Sequence, residues 1–192
     1  GGEPHKLLAQ ASNTAAGLVW PGAQRDRARI GIGAYGMWPS KETLVSARQL
    51  GRGRIQLRPA LTWKTSIAQL KHVPVGGWVG YGRTFRAVRP TRIAILPVGY
   101  YDGYDRGLSN LGEVLVAGQR ARVIGRVAMN MMAVDVTDNA HAEEGSEVVL
   151  LGSQRGPAGD DCIGASEMAA WLGTIHYEVT TRIHPRLTRL AK

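Results

Sequence analysis

Leu61, Trp63, Thr65, Ile67, Gln69, Lys71 and Val73 alternate with Thr62, Lys64, Ser66, Ala68, Leu70 and His72. A period of two predicts one long strand, and Pro74-Val75-Gly76-Gly77 turns the chain back after it. Short apolar runs follow at 93–97, 113–117, 120–126, 132–136 and 147–151, and a last strand is predicted over 174–183. Gly118-Gln119 reads as a tight turn between two of them, and Thr137-Asp138-Asn139 as another turn. Residues 165–172 form the one clear helix of this half, with Ser166-Glu167 near its start and Gly173 as its stop. Many short strands without intervening helices predict a closed or nearly closed β-barrel.

The earlier part of the chain has a different rhythm. Gly1-Gly2-Glu3-Pro4 reads as a loop, and 5–10 as the end of a helix. Asn13 or Thr14 can cap the helix that follows at Ala15-Ala16-Gly17-Leu18-Val19, and the backbone N–H groups left free there suit an anion. Ile30, Ile32 and Ala34 alternate with glycines and predict a buried strand with Arg29 at its beginning. Residues 37–58 read as a connector. Residues 1–57 thus alternate strand and helix like the tail of an α/β domain, and 58–192 form a β-domain. Some fifty residues of α/β pattern cannot close a sheet, so the upstream part of that domain is expected to be missing.

Composition sharpens this picture. Aromatics are 6%, with a single phenylalanine, so the core must be built from aliphatic side chains. Net charge is +9, which would suit an anionic partner. The densest basic group, Arg48, Arg52, Arg54 and Arg58, lacks interleaved aromatics for base stacking, which favours a solvated surface over nucleic-acid binding. Cys162 is the only cysteine, so an intramolecular disulfide is excluded, and the five histidines do not fall at metal-ligand spacings. No apolar run reaches membrane-spanning length and no signal peptide is visible, so the expected setting is cytoplasmic, with no membrane partner.

Residues 79–106 concentrate the candidate chemistry. Four of the six tyrosines lie there (Tyr81, Tyr100, Tyr101 and Tyr104), two of them at strand ends beside glycines that permit close approach. The motifs Ala11-x-Asn13-Thr14-Ala15-Ala16, Arg29-Ile30-Gly31-Ile32-Gly33-Ala34-Tyr35-Gly36 and Gly80-Tyr81-Gly82-Arg83-Thr84 run in order along the chain. They are followed by Pro97-Val98-Gly99-Tyr100-x-Asp102-Gly103, Leu108-Ser109-Asn110-x-Gly112, Gly125-Arg126-Val127-Ala128-Met129 and Leu172-Gly173-Thr174-Ile175-x-Tyr177-Glu178. In these motifs, their order and their spacing, the sequence resembles the C-terminal half of the alanine racemases.

The resemblance implies a mainly β fold: a C-terminal β-barrel-like domain preceded by the last strand and helix units of a TIM-type α/β barrel. It implies pyridoxal 5'-phosphate as cofactor and alanine as substrate, with D-alanine supplied for cell-wall peptidoglycan. It also implies a head-to-tail homodimer in which the β-domain of one subunit completes the barrel site of the other. Tyr81 matches the catalytic tyrosine, which exchanges the α-proton on one face of the substrate aldimine, while the cofactor's lysine serves the other. A free tyrosine titrates near pH 10, so this role needs a perturbed phenol. Arg29 matches the arginine at the pyridine nitrogen, where a group that stays protonated keeps the ring a weaker electron sink. Thr14, Gly31 and Ile32 match phosphate-binding positions. Met129 matches a residue whose backbone N–H binds the substrate carboxylate, Tyr100 lines the substrate entryway, and Asp102, Arg106 and Arg126 match polar positions further out.

The sequence departs from the family pattern in three places. None of Lys6, Lys41, Lys64, Lys71 and Lys192 stands in the family's Lys-Ala-x-Ala-Tyr-Gly-His context, so the lysine-bearing N-terminal part is expected to be a necessary partner. Asn130 stands where Asp is common, and Pro185 stands near a phosphate-contacting tyrosine of some members. A serine or basic amino-acid racemase, or a stand-alone β-domain acting as an interaction module, are the alternatives.

Overall fold

Two short parallel strands, β1 (Gln10–Ser12) and β2 (Arg27–Ala28), open the chain in the computed structural model, which describes residues 7–52 and 54–191. Parallel neighbours need a crossover, and the connection here carries α1 (Thr14–Val19). Asn13 caps α1, its side chain accepting from the Ala16 N–H at 3.0 Å. The expected helix end at 5–10 is not found in the described residues, since 7–9 are irregular and Gln10 starts β1. Residues 1–6, with the expected loop at Gly1-Gly2-Glu3-Pro4, lie outside the described residues.

The expected buried strand over Ile30, Ile32 and Ala34 is also replaced. The Arg29 N–H makes a last ladder bond to the Ser12 carbonyl at 2.7 Å, after which Ile32–Tyr35 winds into a 3₁₀ turn. Only Ile32 of the alternating set is buried, while Ile30 is half exposed. Glycines interleaved with isoleucines fit a tight turn as well as a strand, and among the described residues no strand pairs with the chain beyond Ala28. The segment read as a connector contains a helix, α2 (Lys41–Ala47), whose N-cap Ser40 accepts from the Thr43 N–H at 3.2 Å. The chain divides into two units between Leu61 and Thr62, a few residues after the change of sequence pattern at 57/58.

In the second unit the long alternating segment splits into β3 (Trp63–Ser66) and β4 (Gln69–Val73). The further strands are β5 (Trp78–Val79), β6 (Phe85–Arg86), β7 (Thr91–Leu96), β8 (Glu113–Val116), β9 (Gln119–Ile124), β10 (Met132–Asp135), β11 (Glu147–Gly156) and β12 (Gly159–Ile163). Pairing runs β4-β7-β10-β9-β8-β11, with β3 and β12 both on β11. Because β3 and β4 are consecutive halves of one segment, this antiparallel path returns to its start and closes. The handover is at the break: the Ile67 N–H bonds to the Ser146 carbonyl at 3.0 Å and the Ala68 N–H to the Ile95 carbonyl at 2.9 Å. The core is aliphatic as composition predicts, with Leu96, Val114, Leu115, Val116, Val134 and Leu150 fully buried on the two faces of the sheet. β12 extends the β11 hairpin; its polar sequence gave no strand signal.

Two hairpin tips interlock at one end. The β8–β9 turn is Ala117-Gly118, with Val116 facing Gln119, and both turn residues have positive φ, as a twisted two-residue hairpin requires. A Cβ on Gly118 would lie 1.9 Å from the Gly159 carbonyl oxygen. The Gly118 N–H donates to buried Gln154 Oε1 at 2.9 Å. On the sheet face, Arg120 ties β9 to its surroundings. It reaches Asp161 at 2.7 Å, Glu113 at 2.9 Å, Glu167 at 2.6 Å and the Cys162 carbonyl at 3.0 Å.

The helix α3 (Ala165–Leu172) ends as expected at Gly173, in the left-handed conformation. The predicted last strand at 174–183 is instead a helix, α4 (His176–Arg182). Its β-branched residues suggest strand, but Val179 and Ile183 are four apart and both buried, which puts them on one helical face. Thr180 and Thr181 turn their hydroxyls back onto carbonyls three or four residues earlier. Among the described residues no helix is long and apolar enough to cross a membrane.

Two outcomes follow. Gly118→Ala should lower the unfolding free energy by about 2 kcal/mol or more, from the strained φ alone and more from the clash, as read by urea denaturation. The Arg120 guanidinium, helped by the Cys162 N–H, holds the Asp161 carboxyl below the usual carboxylate range. Its contribution is therefore complete above the ordinary carboxylate pKa and lost as pH falls through the lowered one. Thermal scans from pH 7 downward should show the melting temperature dropping below about pH 4, with a smaller drop in Asp161→Asn.

Candidate functional site

The candidate residues fall into two groups, one in each unit. Thr14, Arg29, Gly31 and Ile32 all follow the carboxyl ends of β1 and β2, the end where parallel α/β arrangements carry their ligands. Thr14 is buried, and its Oγ1 accepts from the Gly31 N–H at 3.0 Å. Accepting there leaves the hydroxyl proton free to donate. A Cβ on Gly33 would lie 2.6 Å from Thr14 Cγ2, so a glycine is what lets the turn fold over the threonine. The Arg29 backbone is held in the ladder by Ser12, while the residue is exposed. Hydroxyl and backbone N–H groups beside an exposed cation suit the oxygens of an anion.

In the second unit Tyr81 begins the short turn Tyr81–Arg83 between β5 and β6. The residue is 74% exposed, whereas Tyr104, from the same stretch, is fully buried. Burial, with Glu113 adding to it, pushes the Tyr104 phenol well up, so this tyrosine is structural. The root of the turn is firm, because Val79 packs in a cluster with Ile93, Ile124 and Ala133, and Phe85 packs against it. Immediately beyond Val79 the backbone crosses the segment after β9 with almost no space between. A Cβ on Gly80 would meet the Arg126 nitrogen at 2.9 Å, and one on Gly125 the Val79 carbonyl oxygen at 2.7 Å. A Cβ on Gly82 would sit 3.2 Å from the Arg126 guanidinium carbon. The structure thus sets the Tyr81 turn beside Arg126.

Tyr100 and Met129 are brought together by another close approach. The Tyr100 N–H donates to the Ala128 carbonyl at 3.0 Å and the Tyr101 N–H to the Met129 carbonyl at 2.9 Å. Gly99 makes this possible, since its Cβ would lie 2.2 Å from the Ala128 carbonyl oxygen. Asp102 turns inward and accepts from the Gly99 N–H at 2.9 Å, which gives it a local structural task. Arg106 lines an open groove with Tyr100, Gly103, Asp105 and Arg182. Tyr101 stacks on His184 with ring centres 4.9 Å apart.

Sequence reasoning missed the ion pair of Asp105 with Arg182 and the second bond of Arg182 to Glu178 at 2.6 Å. The first partners lie far apart along the chain and carried no local signal. Lys64, on β3, is paired with Glu147 at 2.7 Å, and Lys41 and Lys71 are exposed on α2 and β4. Lys6 and Lys192 lie outside the described residues. Asn130 and Pro185 are both exposed. Among the described residues no group of three or more His, Cys, Asp and Glu is placed to hold a metal.

The Gly80 crossing generates a direct outcome. Gly80→Ala, at φ +76, should destabilise the fold by about 1–3 kcal/mol. The backbone NMR resonances of 81–83 and 125–127 should shift together, and shifts confined to the first set would refute the crossing.

Comparison with known proteins gives a single picture. A family model described as alanine racemase, C-terminal domain, matches residues 60–191. An alanine racemase of Leptospira interrogans is 43% identical over 184 residues, which is 96% of this chain and 46% of that protein. The structure of alanine racemase from Bacillus anthracis with bound L-Ala-P has a TM-score of 0.81 at 34% identity, covering 96% of this chain and 46% of that one. Alanine racemase from Bartonella henselae with covalently bound pyridoxal phosphate has a TM-score of 0.79 at 24% identity, over 97% and 47% of the two chains, and shows the fold alone. The chain spans about half the length of the curated relatives it matches.

Proposed function

The chain belongs to the alanine racemase family, and on that premise we propose that it is the part of a pyridoxal-phosphate-dependent racemase that carries Tyr81 and interconverts L- and D-alanine. The observation that carries the reading is the exposed Tyr81 phenol, offered on a glycine-flanked turn whose root is buried and whose flank is Arg126. The activity is proposed for the chain together with the portion of its relatives that it does not span, including the family's lysine, and in a head-to-tail dimer. D-alanine for peptidoglycan is the proposed product.

The first unit's residues fit the proposed cofactor. Thr14 Oγ1, held by the Gly31 N–H in a cradle that a side chain at Gly33 would fill, keeps its own hydroxyl proton as a donor for a phosphate. Arg29, whose guanidinium offers donors and no acceptor, would donate to the ring nitrogen. The chemistry supplied by pyridoxal phosphate when bound is withdrawal of electrons from the bond to the α-proton.

Tyr81 then has one task, to hold or release a proton at its phenol oxygen on one face of the substrate α-carbon. Racemisation needs a second base on the opposite face, since a single base tends to return the proton to its original side. The Met129 N–H is proposed to bind the substrate carboxylate. Tyr100 and the groove it lines with Arg106 would admit a small amino acid and limit larger ones.

The test joins this chain to the N-terminal half of a relative and follows α-proton exchange of alanine in D₂O. Tyr81→Phe should lower kcat by roughly 10²–10⁴-fold and leave cofactor absorbance in place. Thr14→Val should weaken cofactor binding about tenfold, the loss of one bond to a charged group. Neither cofactor absorbance nor exchange in the joined wild-type protein would refute the reading.

A further inference from the structure

The motif Leu108-Ser109-Asn110-x-Gly112 has no part in the reading above, yet it touches both segments that do. Asn110 sits at φ +58, a left-handed conformation that asparagine tolerates better than most residues. Its Oδ1 accepts from the Gly125 N–H at 2.6 Å. Its Nδ2 donates to the Thr84 carbonyl at 3.4 Å, at the far end of the Tyr81 turn. The Asn110 carbonyl is itself held by the Arg122 guanidinium, at 2.6 and 3.2 Å. Next to it, Ser109 Oγ accepts from the Val127 N–H at 3.0 Å.

These bonds lie where the backbones of Gly80 and Gly125 cross with no side chain between them. Two bare backbones in contact have no interdigitating groups to fix how they slide. A lateral tie with one end on each segment supplies what the crossing lacks. That tie needs a donor and an acceptor on one short side chain, which asparagine offers and aspartate does not. Resting on the racemase reading, we propose that Asn110 is a positioning residue for Tyr81. Its amide fixes the Tyr81 turn against the segment that carries Arg126 and Met129, without itself touching substrate.

Two variants separate the side chain from the backbone. Asn110→Gly accepts the positive φ without strain and loses both amide bonds. Asn110→Asp keeps the acceptor for Gly125 and loses the donor to Thr84. In the full chain, amide exchange followed by NMR should show Gly125 protected in wild type and Asn110→Asp. It should exchange about tenfold faster in Asn110→Gly, with the resonances of 81–84 displaced. In the joined enzyme Asn110→Gly should lower kcat roughly ten- to hundredfold, with KM changed less than about threefold. Asn110→Asp should recover part of that loss.

Wild-type kcat in Asn110→Gly despite fast Gly125 exchange would overturn the proposal and leave Asn110 a purely structural residue. Equal Gly125 exchange in all three proteins would overturn it by removing the tie. If the joined wild-type protein does not racemise alanine, it is the racemase reading that fails. Gly125 exchange and the resonances of 81–84 then still decide whether Asn110 holds the turn.

Discussion

Everything in the second unit depends on one segment serving two neighbours. β3 pairs with β11 and β4 pairs with β7, and consecutive amides at Ile67 and Ala68 hand the chain from one side to the other. Without that handover the sheet would have two open edges, each a row of unpaired backbone groups. Within the closed sheet β7 and β9 both pair with β10. That places the ends of β7 and β9, and the loops that follow them, within reach of the β5–β6 turn. Closure also removes the freedom of these loops to move apart independently. Arg120 and the interlocked hairpin tips secure another stretch of the sheet, through charge in one case and backbone contact in the other.

The candidate chemistry of this unit is assembled from backbone crossings more than from side-chain packing. Gly80 lies against Gly125 and Gly99 against Ala128, each at a distance that a Cβ would forbid. Such contacts leave no room for a side chain and bring polar backbone groups together, which side chains such as Asn110 can then tie. The side chains above them, Tyr81, Tyr100 and Met129, are left exposed. A firm root with an open tip suits a site that is completed by other surfaces.

Much of the β-domain was legible because a half-buried strand writes its period into the sequence. β7 to β10 lie where alternation and apolar runs put them, and β11 starts at the expected Glu147 but runs on to Gly156. The failures have physical causes. At 176–182 the burial of Val179 and Ile183 on one helical face outweighs the strand propensity of Thr180 and Thr181, and at Ile32–Tyr35 a run of isoleucines interleaved with glycines folds as a 3₁₀ turn. β12 was missed because Asp160 and Asp161 serve ion pairs with Arg155 and Arg120 that a local pattern does not carry. For the site, Tyr81, Thr14 and Arg29 were named through motif resemblance. Glycines beside tyrosines hinted at close approach, but not at which segment approaches. Asn110 looked like one more motif letter, because its partners Thr84 and Gly125 are distant in sequence and both bonds go to backbone atoms.

The contact between Gly99 and the Ala128-Met129 backbone bears on how this surface can be mapped by substitution. The work proposed for Met129 belongs to its peptide nitrogen, while its side chain is exposed in this chain. Systematic replacement by alanine would register little at Met129 and a large defect at Gly99. A reader of that scan would assign the task to the wrong residue. The position is better interrogated by changing the main chain itself, for instance with an ester in place of the amide, where the side chain stays constant and only the donor disappears.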